Sequence, residues 1–355
     1  MCYHSFMVPL PRFLFIQIND RCNLRCGHCH YWKPTAGDRS ASISQERRGE
    51  IIEEFAEMSP GGAVVTCGGE GMLDLPTYFG VCSTCRRFGL KCLSVVNGTV
   101  ISTSQMASRM MLEGPDEITV SLDSHREELH DRMRGVEGSY KEAVRALKLL
   151  LEARSQTGIS DKRIYVMMLI FDENYFHLDA MYDFVLNGIG ADKMKINILQ
   201  PTFGCVTQDD SFFANHSRMD ADYLMAQLRV CDAKYNLGLN SAWVSQVGMY
   251  VRSVSQLPRY CLCWGGLQGT TDCICNSSDR NIMVDLSGTA RLCFSTFYPG
   301  FQLREKGDLR HFWESSDDLR MKMSNCRALC GISHSVRRES CTIAGNSRFV
   351  LRKEQ

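Results

Sequence analysis

Three cysteines follow an early apolar run at a spacing that suits a metal centre. Cys22, Cys26 and Cys29 have the spacing C-x3-C-x2-C and come directly after the apolar run Phe13–Ile18. A [4Fe–4S] cube has four iron corners that are held by cysteine thiolates, so three closely spaced thiolates leave one iron open. Metal centres carry out their chemistry at such open positions. The spacing therefore predicts a [4Fe–4S] site with one exchangeable corner.

Zinc is the alternative metal for this motif, because cysteine and histidine are its usual ligands. His28 would then supply the fourth ligand. It lies between Cys26 and Cys29, however, and residues this close in sequence cannot easily occupy separate corners of one tetrahedron. The spacing favours the cluster over zinc, and three unrelated thiols are the remaining interpretation.

The size and charge of the chain limit its class. Its 355 residues suit one large domain and a smaller one, and a hydrophobic content of 44% supports a sizeable core. Lys plus Arg and Asp plus Glu both number 40, so the formal net charge is zero. This balance argues against a dedicated surface for nucleic acid or for an anionic membrane.

The 18 cysteines indicate a reducing compartment. A secreted protein held together by disulfides would be shorter, and residues 1–13 lack the pattern of a signal peptide. No apolar run approaches the ~18 residues of a membrane span. We therefore predict a cytoplasmic protein in which some thiols are metal ligands and others pack in the core.

Strand-like and helix-like segments alternate along the first two thirds of the chain. The predicted strands are Phe13–Ile18, Ala63–Thr66, Cys92–Val96, Glu117–Leu122, Ile164–Phe171 and Lys193–Leu199. The main predicted helices are Ser44–Met58, Leu75–Phe88, Ser104–Glu113, Ser139–Arg154, Tyr175–Leu186 and Met219–Leu237. This alternation predicts an α/β fold with a parallel sheet, a partial or full TIM-like (β/α)6 barrel. Active sites in such barrels lie at the C-terminal ends of the strands.

Glycines and polar residues follow the second and third strands. Gly68 and Gly69 let the backbone approach a ligand closely, and the carboxylate of Glu70 could accept hydrogen bonds from an ammonium group. Asn97, at the end of the third strand, begins an Asn-Gly pair that is common in turns. Each feature alone is also typical of an ordinary turn.

The fourth strand ends in a polar segment. Ser121 lies at the strand end, and the charged segment that follows includes Arg134. The guanidinium group of Arg134 could pair with a carboxylate through its fork of donors. A solvated loop is the alternative interpretation of this segment.

Taken together, these four motifs resemble the radical S-adenosylmethionine (SAM) superfamily in type and in order. The resemblance spans residues 10–237 and implies a barrel-like core that carries a [4Fe–4S] cluster and SAM. In that family the cluster reduces SAM, and the resulting 5′-deoxyadenosyl radical abstracts a hydrogen atom from a substrate. Two positions depart from the family pattern, since Gly71 replaces a usual proline and Ser124 a usual glycine.

The resemblance also implies roles for single residues. Cys22, Cys26 and Cys29 would ligate the cluster. Gly68, Gly69 and Glu70 would cradle the methionyl amino group of SAM, and Asn97 belongs to the same binding site. Ser121 and Arg134 would serve its ribose or carboxylate, and the main chain near His28 and the strand residue Asn197 would face the adenine.

Residues 238–345 resemble the SPASM and twitch extensions of this superfamily, which hold auxiliary iron–sulfur clusters. No long periodic segment is expected between Gly238 and Leu309, and a domain boundary is expected near residues 238–258. A predicted hairpin within 282–290 would bring Cys275 and Cys293 together, and a predicted helix over Asp308–Met323 leads to two more cysteines. The expected ligands of an auxiliary [4Fe–4S] cluster are Cys275, Cys293, Cys326 and Cys330. Zinc in the same ligand set is the alternative, and Cys261 or Cys263 could donate a hydrogen atom in the active site.

The resemblance implies an oxidoreductase that receives electrons from a flavodoxin or ferredoxin. Because the motif-bearing core begins within ~20 residues of the N-terminus, we expect no separate peptide-binding domain. This favours a small-molecule substrate such as a sugar, an aminocyclitol or a nucleoside, in a dehydrogenation or epimerisation. A maturase of a ribosomal peptide and a non-catalytic metal-binding protein are the alternatives.

Overall fold

Six parallel strands in sequential order form the centre of the protein. The computed structural model describes residues 9–33, 42–201, 211–256, 273–275, 277–294, 298–324, 326 and 335–337. The six strands are β1 (Phe13–Asn19), β2 (Ala63–Gly68), β3 (Lys91–Val96), β4 (Glu117–Ser121), β5 (Arg163–Ile170) and β6 (Lys193–Ile198). Each strand pairs with the next in parallel, so their C-terminal ends share one edge of the sheet.

Helices connect these strands, as the alternating pattern predicts, and two further helices follow β6. They are α1 (Gln45–Met58), α2 (Leu75–Arg87), α3 (Ser104–Glu113), α4 (Glu127–Arg134), α5 (Ser139–Thr157), α6 (Leu178–Asp183), α7 (Ser211–His216) and α8 (Ala221–Tyr235). A π-helical segment, Phe184–Ile189, extends α6. Within the described ranges, no helix combines the length and the apolar character that crossing a membrane requires.

Local signals set the helix ends, and apolar burial holds the layers together. The hydroxyl of Ser44 caps α1 by accepting the main-chain N–H of Arg47, and Asp74 caps α2 in the same way. Alternate strand residues such as Leu14 and Ile16 are fully buried, as expected of a parallel sheet that helices cover.

The C-terminal segment adds strands to the same sheet. These are β7 (Cys273–Cys275), β8 (Asn281–Val284), β9 (Thr289–Arg291), β10 (Phe301–Gln302) and β11 (Ser335–Arg337). β8 pairs in parallel with β1 and forms the predicted hairpin with β9. The sheet order is β10-β9-β8-β1-β2-β3-β4-β5-β6, while β7 pairs with β11 separately. Among the described strands the sheet is open, which confirms a partial barrel.

One predicted feature of the C-terminal segment is wrong. A long helix, α9 (Ser241–Gln256), lies where we expected no periodic segment. It packs on the core, and the hydroxyl of Tyr250 donates to the carbonyl oxygen of Leu199 over 3.1 Å. Its apolar positions, Val244, Val247, Val251 and Val254, follow helical spacing and are buried. Valine, serine and glycine have modest helix propensity, so packing rather than propensity stabilises this helix.

The predicted helix over Asp308–Met323 is in fact two helices, α10 (Asp308–Glu314) and α11 (Asp317–Ser324). The division of the chain at residues 237 and 238 stays a prediction. The hydrogen bonding of β8 to β1 shows that the C-terminal segment contributes directly to the central sheet.

Candidate active site

The three-cysteine loop lies at the C-terminal edge of the sheet, directly after β1. Cys26 is buried, and Cys22 and Cys29 are partly buried. The loop is closed by its own main chain, because the N–H of Cys29 donates to the carbonyl oxygen of Cys26 over 3.2 Å. The indole N–H of Trp32 donates to the same oxygen over 2.9 Å. These bonds fix the positions from which the three thiols extend.

The three thiols interact with one another. Burial is the main cause that raises the pKa of each thiol, and a charge on Cys26 raises the pKa of Cys22 further. Burial, with added repulsion from Cys26 and Cys22, raises the pKa of Cys29 to about 12. Three thiolates gathered in a buried loop require positive charge, which iron or another metal ion would supply. The donor set therefore fits a metal centre.

The spacing of the thiols fits a cluster better than a single ion. Ligands of one zinc ion crowd around it at Zn–S distances of about 2.3 Å. Within the described part of the chain, only Asp172, Glu173 and His216 form a group of at least three potential ligands whose atoms all lie within 4.8 Å of one another. At least two of the three sulfur atoms are therefore more than 4.8 Å apart, which suits the corners of a larger cluster.

Gly68 and Gly69 pack against the start of the cysteine loop. Gly68 has a positive φ of 104°, and a Cβ atom there would lie 2.5 Å from the carbonyl oxygen of Asn19. A Cβ atom on Gly69 would overlap the main-chain carbonyl of Arg21. The N–H of Gly69 donates to the carbonyl oxygen of Asn19 over 2.9 Å. The glycine pair thus lets β2 and the cysteine loop approach each other closely.

Glu70 links the ends of β2 and β3. Its Oε2 accepts the main-chain N–H of Asn97 over 2.7 Å, and its Oε1 accepts that of Met72 over 3.2 Å. Burial raises the pKa of Glu70 to about 7, although these hydrogen bonds and the charge of Arg134 oppose the rise. The carboxylate therefore holds main chain in place, and its expected contact with an ammonium group stays a prediction.

Asn97 joins a small polar network with the cysteine loop. Its side-chain amide donates to the Oδ1 of Asn23 over 2.8 Å, and Asn23 donates to the hydroxyl of Thr99 over 2.7 Å. Sequence reasoning missed Asn23 because it lies inside the cysteine motif, where the cysteines carry the recognisable pattern.

Arg134, at the end of α4, lies beside the cysteine loop and is buried. Its Nη2 donates to the Oδ1 of Asp123 over 2.9 Å, and its Nη1 lies 3.8 Å from the Sγ of Cys26. Its Nε is 2.8 Å from the Oδ2 of Asp123, an ion-pair contact without the alignment of a hydrogen bond. Burial alone would raise the pKa of Asp123, but Arg134, the nearby His130 and His28 and the hydrogen bond from Leu169 together lower it, so the carboxyl stays ionised.

Three other predicted residues lie at the same edge of the sheet. Ser121 ends β4 and is buried, and His28 lies in the cysteine loop. Asn197 lies near the end of β6, and its Oδ1 accepts the N–H of Ile198 over 3.0 Å. Their predicted contacts with SAM stay predictions.

Comparison with known proteins identifies this part of the chain. The family model of the radical SAM superfamily matches residues 16–185. The chain contains a radical SAM domain. The resemblance inferred from its motifs is thereby confirmed, and so are the [4Fe–4S] cluster and SAM as the cofactors of this domain.

Curated relatives match part of this chain over part of their own length. An AdoMet-dependent heme synthase from Oleidesulfovibrio alaskensis is 30% identical over 148 residues, which are 41% of this chain and 36% of that protein. The antilisterial bacteriocin subtilosin biosynthesis protein AlbA from Bacillus subtilis is 27% identical over 192 residues, which are 53% of this chain and 40% of that protein. The chain thus spans about two fifths of the length of these relatives.

A solved structure shows the same fold. The crystal structure of Streptococcus suis SuiB bound to S-adenosylmethionine superposes with a TM-score of 0.61 at 14% identity. The superposition covers 86% of this chain and 66% of that chain. It extends the similarity in fold beyond the radical SAM domain.

A second group of thiols lies outside the radical SAM domain. Cys275 ends β7, Cys293 follows β9 and Cys326 follows α11. Burial, with repulsion from Cys293 and Cys326, raises the pKa of Cys275 to about 11, although its sulfur accepts the main-chain N–H groups of Ser277 and Ser278. The structure therefore brings together three of the four predicted auxiliary ligands.

The remaining predicted cysteines, Cys261, Cys263 and Cys330, lie outside the described residues. Asp123 is the principal site residue that sequence reasoning did not select. A signal for it was present, since it follows the buried strand β4 and a carboxylate there must find a partner. That its partner is Arg134 became visible only once α4 was placed.

Proposed function

We propose that this chain is a radical SAM oxidoreductase that removes a hydrogen atom from a small organic substrate and passes an electron to an auxiliary cluster. When its cofactors are bound, a radical SAM domain supplies the reductive cleavage of SAM and a 5′-deoxyadenosyl radical that abstracts hydrogen. The observation that carries the proposal is the three-thiol loop at the strand ends, packed between Gly69 and Arg134.

The residues of the chain have separate tasks in this proposal. Cys22, Cys26 and Cys29 hold the first cluster and leave one iron for SAM. The glycine pair and Glu70 hold main chain beside that iron, and Ser121 and Asn197 extend the SAM site along the edge of the sheet. Cys275, Cys293 and Cys326, with Cys330 as the predicted fourth ligand, hold the auxiliary cluster.

The substrate is proposed to be a small molecule of the sugar, aminocyclitol or nucleoside type. The likeness to a protein named as a heme synthase supports a small-molecule product in general, without supporting those classes in particular. A flavodoxin or ferredoxin would supply electrons, and a reducing cytoplasm suits the many free thiols.

A peptide maturase is the second candidate. One relative is named for the biosynthesis of a bacteriocin, which favours a peptide substrate. A peptide would reach the same strand ends, and the auxiliary cluster would serve the same redox purpose. The two candidates therefore differ in substrate and not in the radical chemistry.

Anaerobic reconstitution with iron and sulfide, followed by dithionite and SAM, tests the shared core of both candidates. We expect formation of 5′-deoxyadenosine, measured by liquid chromatography. The triple variant Cys22→Ala/Cys26→Ala/Cys29→Ala should form none, whereas Cys231→Ala, which removes a buried thiol from α8, should retain the reaction. A protein that binds metal but forms no 5′-deoxyadenosine would support the non-catalytic alternative.

A deuterium-transfer assay separates the two substrate classes. Deuterated sugars, aminocyclitols and nucleosides are incubated with the reconstituted protein, in parallel with deuterated precursor peptides. Deuterium in 5′-deoxyadenosine from a small molecule supports the first candidate. Deuterium that comes only from a peptide would replace it with the maturase.

A further inference from the structure

The guanidinium group of Arg134 is held between a carboxylate and a predicted cluster ligand. Two of its nitrogens face Asp123, at 2.8 and 2.9 Å, and the third lies 3.8 Å from the Sγ of Cys26. The side chains of Arg134 and Asp123 are 9% and 0% exposed, so water screens this arrangement very little. Every nitrogen of the guanidinium therefore has a neighbour inside the protein.

Asp123 is itself fixed from several sides. Its Oδ1 accepts the main-chain N–H of Leu169 over 3.0 Å, and its own N–H donates to the Nδ1 of His130 over 3.1 Å. The side-chain amide of Asn174 donates to its carbonyl oxygen over 2.9 Å. These contacts tie Asp123 to β5 and α4, so the carboxylate cannot follow Arg134 to another position at low cost.

Main-chain hydrogen bonds join the end of α4, which carries Arg134, to the cysteine loop. The N–H of Arg25 donates to the carbonyl oxygen of Arg134 over 2.9 Å, and the N–H of Gly27 donates to that of Met133 over 3.1 Å. Gly135 ends α4 in the left-handed region, with φ at 67°, and lies against the carbonyl of Arg25. Arg134 and Cys26 are thus held next to each other by backbone as well as by side chains.

We propose that Arg134 is a positioning residue of the first cluster, which sets a permanent positive charge against the Cys26 thiolate and so raises the reduction potential of that cluster. Arginine remains charged at all relevant pH values, and a nearby positive charge favours the more negative, reduced state of a cluster. This inference rests on the proposed function, because it requires a cluster on Cys22, Cys26 and Cys29. It gives Arg134 a task in electron transfer that differs from the expected contact with the ribose or carboxylate of SAM.

Redox titration of the reconstituted protein without SAM, monitored by electron paramagnetic resonance, tests the proposal. The signal of the first cluster is the one that changes when SAM is added to a parallel sample. Arg134→Gln should shift its midpoint potential to a more negative value. Arg132→Gln is the matched control, because it removes one positive charge from the same helix at a side chain that is 58% exposed and pairs with Glu173.

Asp123→Asn provides the decisive second variant. It removes a negative charge beside the cluster and leaves Arg134 in place, so the midpoint potential should shift to a more positive value. If Arg134 only braced the loop, both variants would loosen the same contacts and shift the potential in the same direction. Arg134→Lys, which keeps the charge, should restore part of the wild-type potential.

Two results would overturn the proposal, and they are distinguishable. If the wild-type protein has a SAM-responsive cluster but Arg134→Gln and Arg132→Gln have equal midpoint potentials, only this inference is wrong. If the wild-type protein forms no SAM-responsive cluster, the proposed function is wrong and the inference falls with it. Should Arg134→Gln fail to fold, a shift of Asp123→Asn to a more negative potential would contradict the proposal by itself.

Discussion

The two groups of thiols are assembled in different ways. Cys22, Cys26 and Cys29 lie on one loop, which is shaped by its main-chain hydrogen bonds with the residues that follow β2 and with the end of α4. Cys275 and Cys293 flank a hairpin in the order of the chain, and Cys326 comes from a later helix end. The first group is therefore a local feature of sequence, whereas the second exists only after three elements have packed.

The supports of the two groups differ accordingly. Beside the first group, the buried carboxyl group of Glu70 accepts two main-chain N–H groups, and buried Arg134 contacts Asp123 and the thiol of Cys26. Beside the second, buried Arg320 of α11 donates to the carbonyl oxygen of Trp313 over 2.6 Å and to that of Ser278 over 3.3 Å. The residues beside the first group hold a single loop in place, whereas Arg320 joins α11 to two other segments of the chain.

Removing either group of thiols should have the largest effect. The variant Cys22→Ala/Cys26→Ala/Cys29→Ala should lose SAM cleavage completely, because no open iron remains. Cys275→Ala/Cys293→Ala should still form 5′-deoxyadenosine but lose the second cluster. Iron content and 5′-deoxyadenosine, measured on the same samples, check both expectations.

Equal loss of SAM cleavage in the two variants would contradict the view that the two groups of thiols are assembled independently. It would mean that the second group is needed to build the first site. Cys85→Ala, which removes a buried thiol from α2, controls for the general effect of losing a packed cysteine.

Glu70→Ala should lower the free energy of unfolding by about 2–6 kcal/mol. The N–H groups of Asn97 and Met72 would lose their partner, and each buried unsatisfied donor costs about 1–3 kcal/mol. Urea unfolding of the metal-free, reduced protein measures this. Glu50→Ala, at a side chain that is 48% exposed, is the control and should change the free energy of unfolding by less than about 0.5 kcal/mol.

The same carboxyl group should make stability depend on pH. Burial raises the pKa of Glu70 from 4.5 to about 7, so the folded protein keeps a proton that the unfolded chain has already lost. Its contribution to the free energy of unfolding therefore falls as the pH rises through this window, by at most about 3 kcal/mol. Above pH 7 the contribution stays constant.

Unfolding curves of wild type and Glu70→Gln at several pH values check this sign. The difference between the two proteins should decrease between pH 4.5 and 7. Parallel stability profiles would show that Glu70 has an ordinary pKa in the folded protein.

Arg320→Ala should weaken the second group and spare the first. Two carbonyl oxygens would lose a charged donor, which costs about 1–3 kcal/mol. We expect faster loss of iron from the second cluster to a chelator, with unchanged formation of 5′-deoxyadenosine. Arg310→Ala, at a side chain that is 43% exposed on α10, should retain both clusters; equal iron loss in the two variants would contradict the assigned role of Arg320.

The sequence was most informative where a pattern is local. Helical and strand periodicity located the six parallel strands, and cysteine spacing located the first group of thiols. The helix α9 was not predicted, because a segment rich in valine and serine is not typical of a helix. Local pattern therefore predicted most of the core and the outline of its site.

Pairing between distant residues could not be predicted in this way. Asp123 and Arg134 were both visible in the sequence, but their contact depends on how α4 docks against β4 and β5. The contact of the Glu70 carboxylate with the N–H of Asn97 likewise depends on the register of the neighbouring strands β2 and β3. Such contacts determine the ionisation states of Asp123 and Glu70, and they form only when the helices and strands pack together.

The parallel pairing of β8 with β1 fixes the direction in which the two groups of thiols face. The loop of Cys22 leaves β1 at its C-terminal end, whereas Cys275 precedes β8 and Cys293 follows the returning strand β9. The two groups consequently lie at opposite ends of β1, and a strand of this length spans about 20 Å. A small substrate bound at one end cannot touch both, so electrons exchanged between the two centres would have to tunnel through the packed protein. Phe15 of β1 and Phe294, whose rings meet edge to face with centroids 4.6 Å apart, lie in this interval.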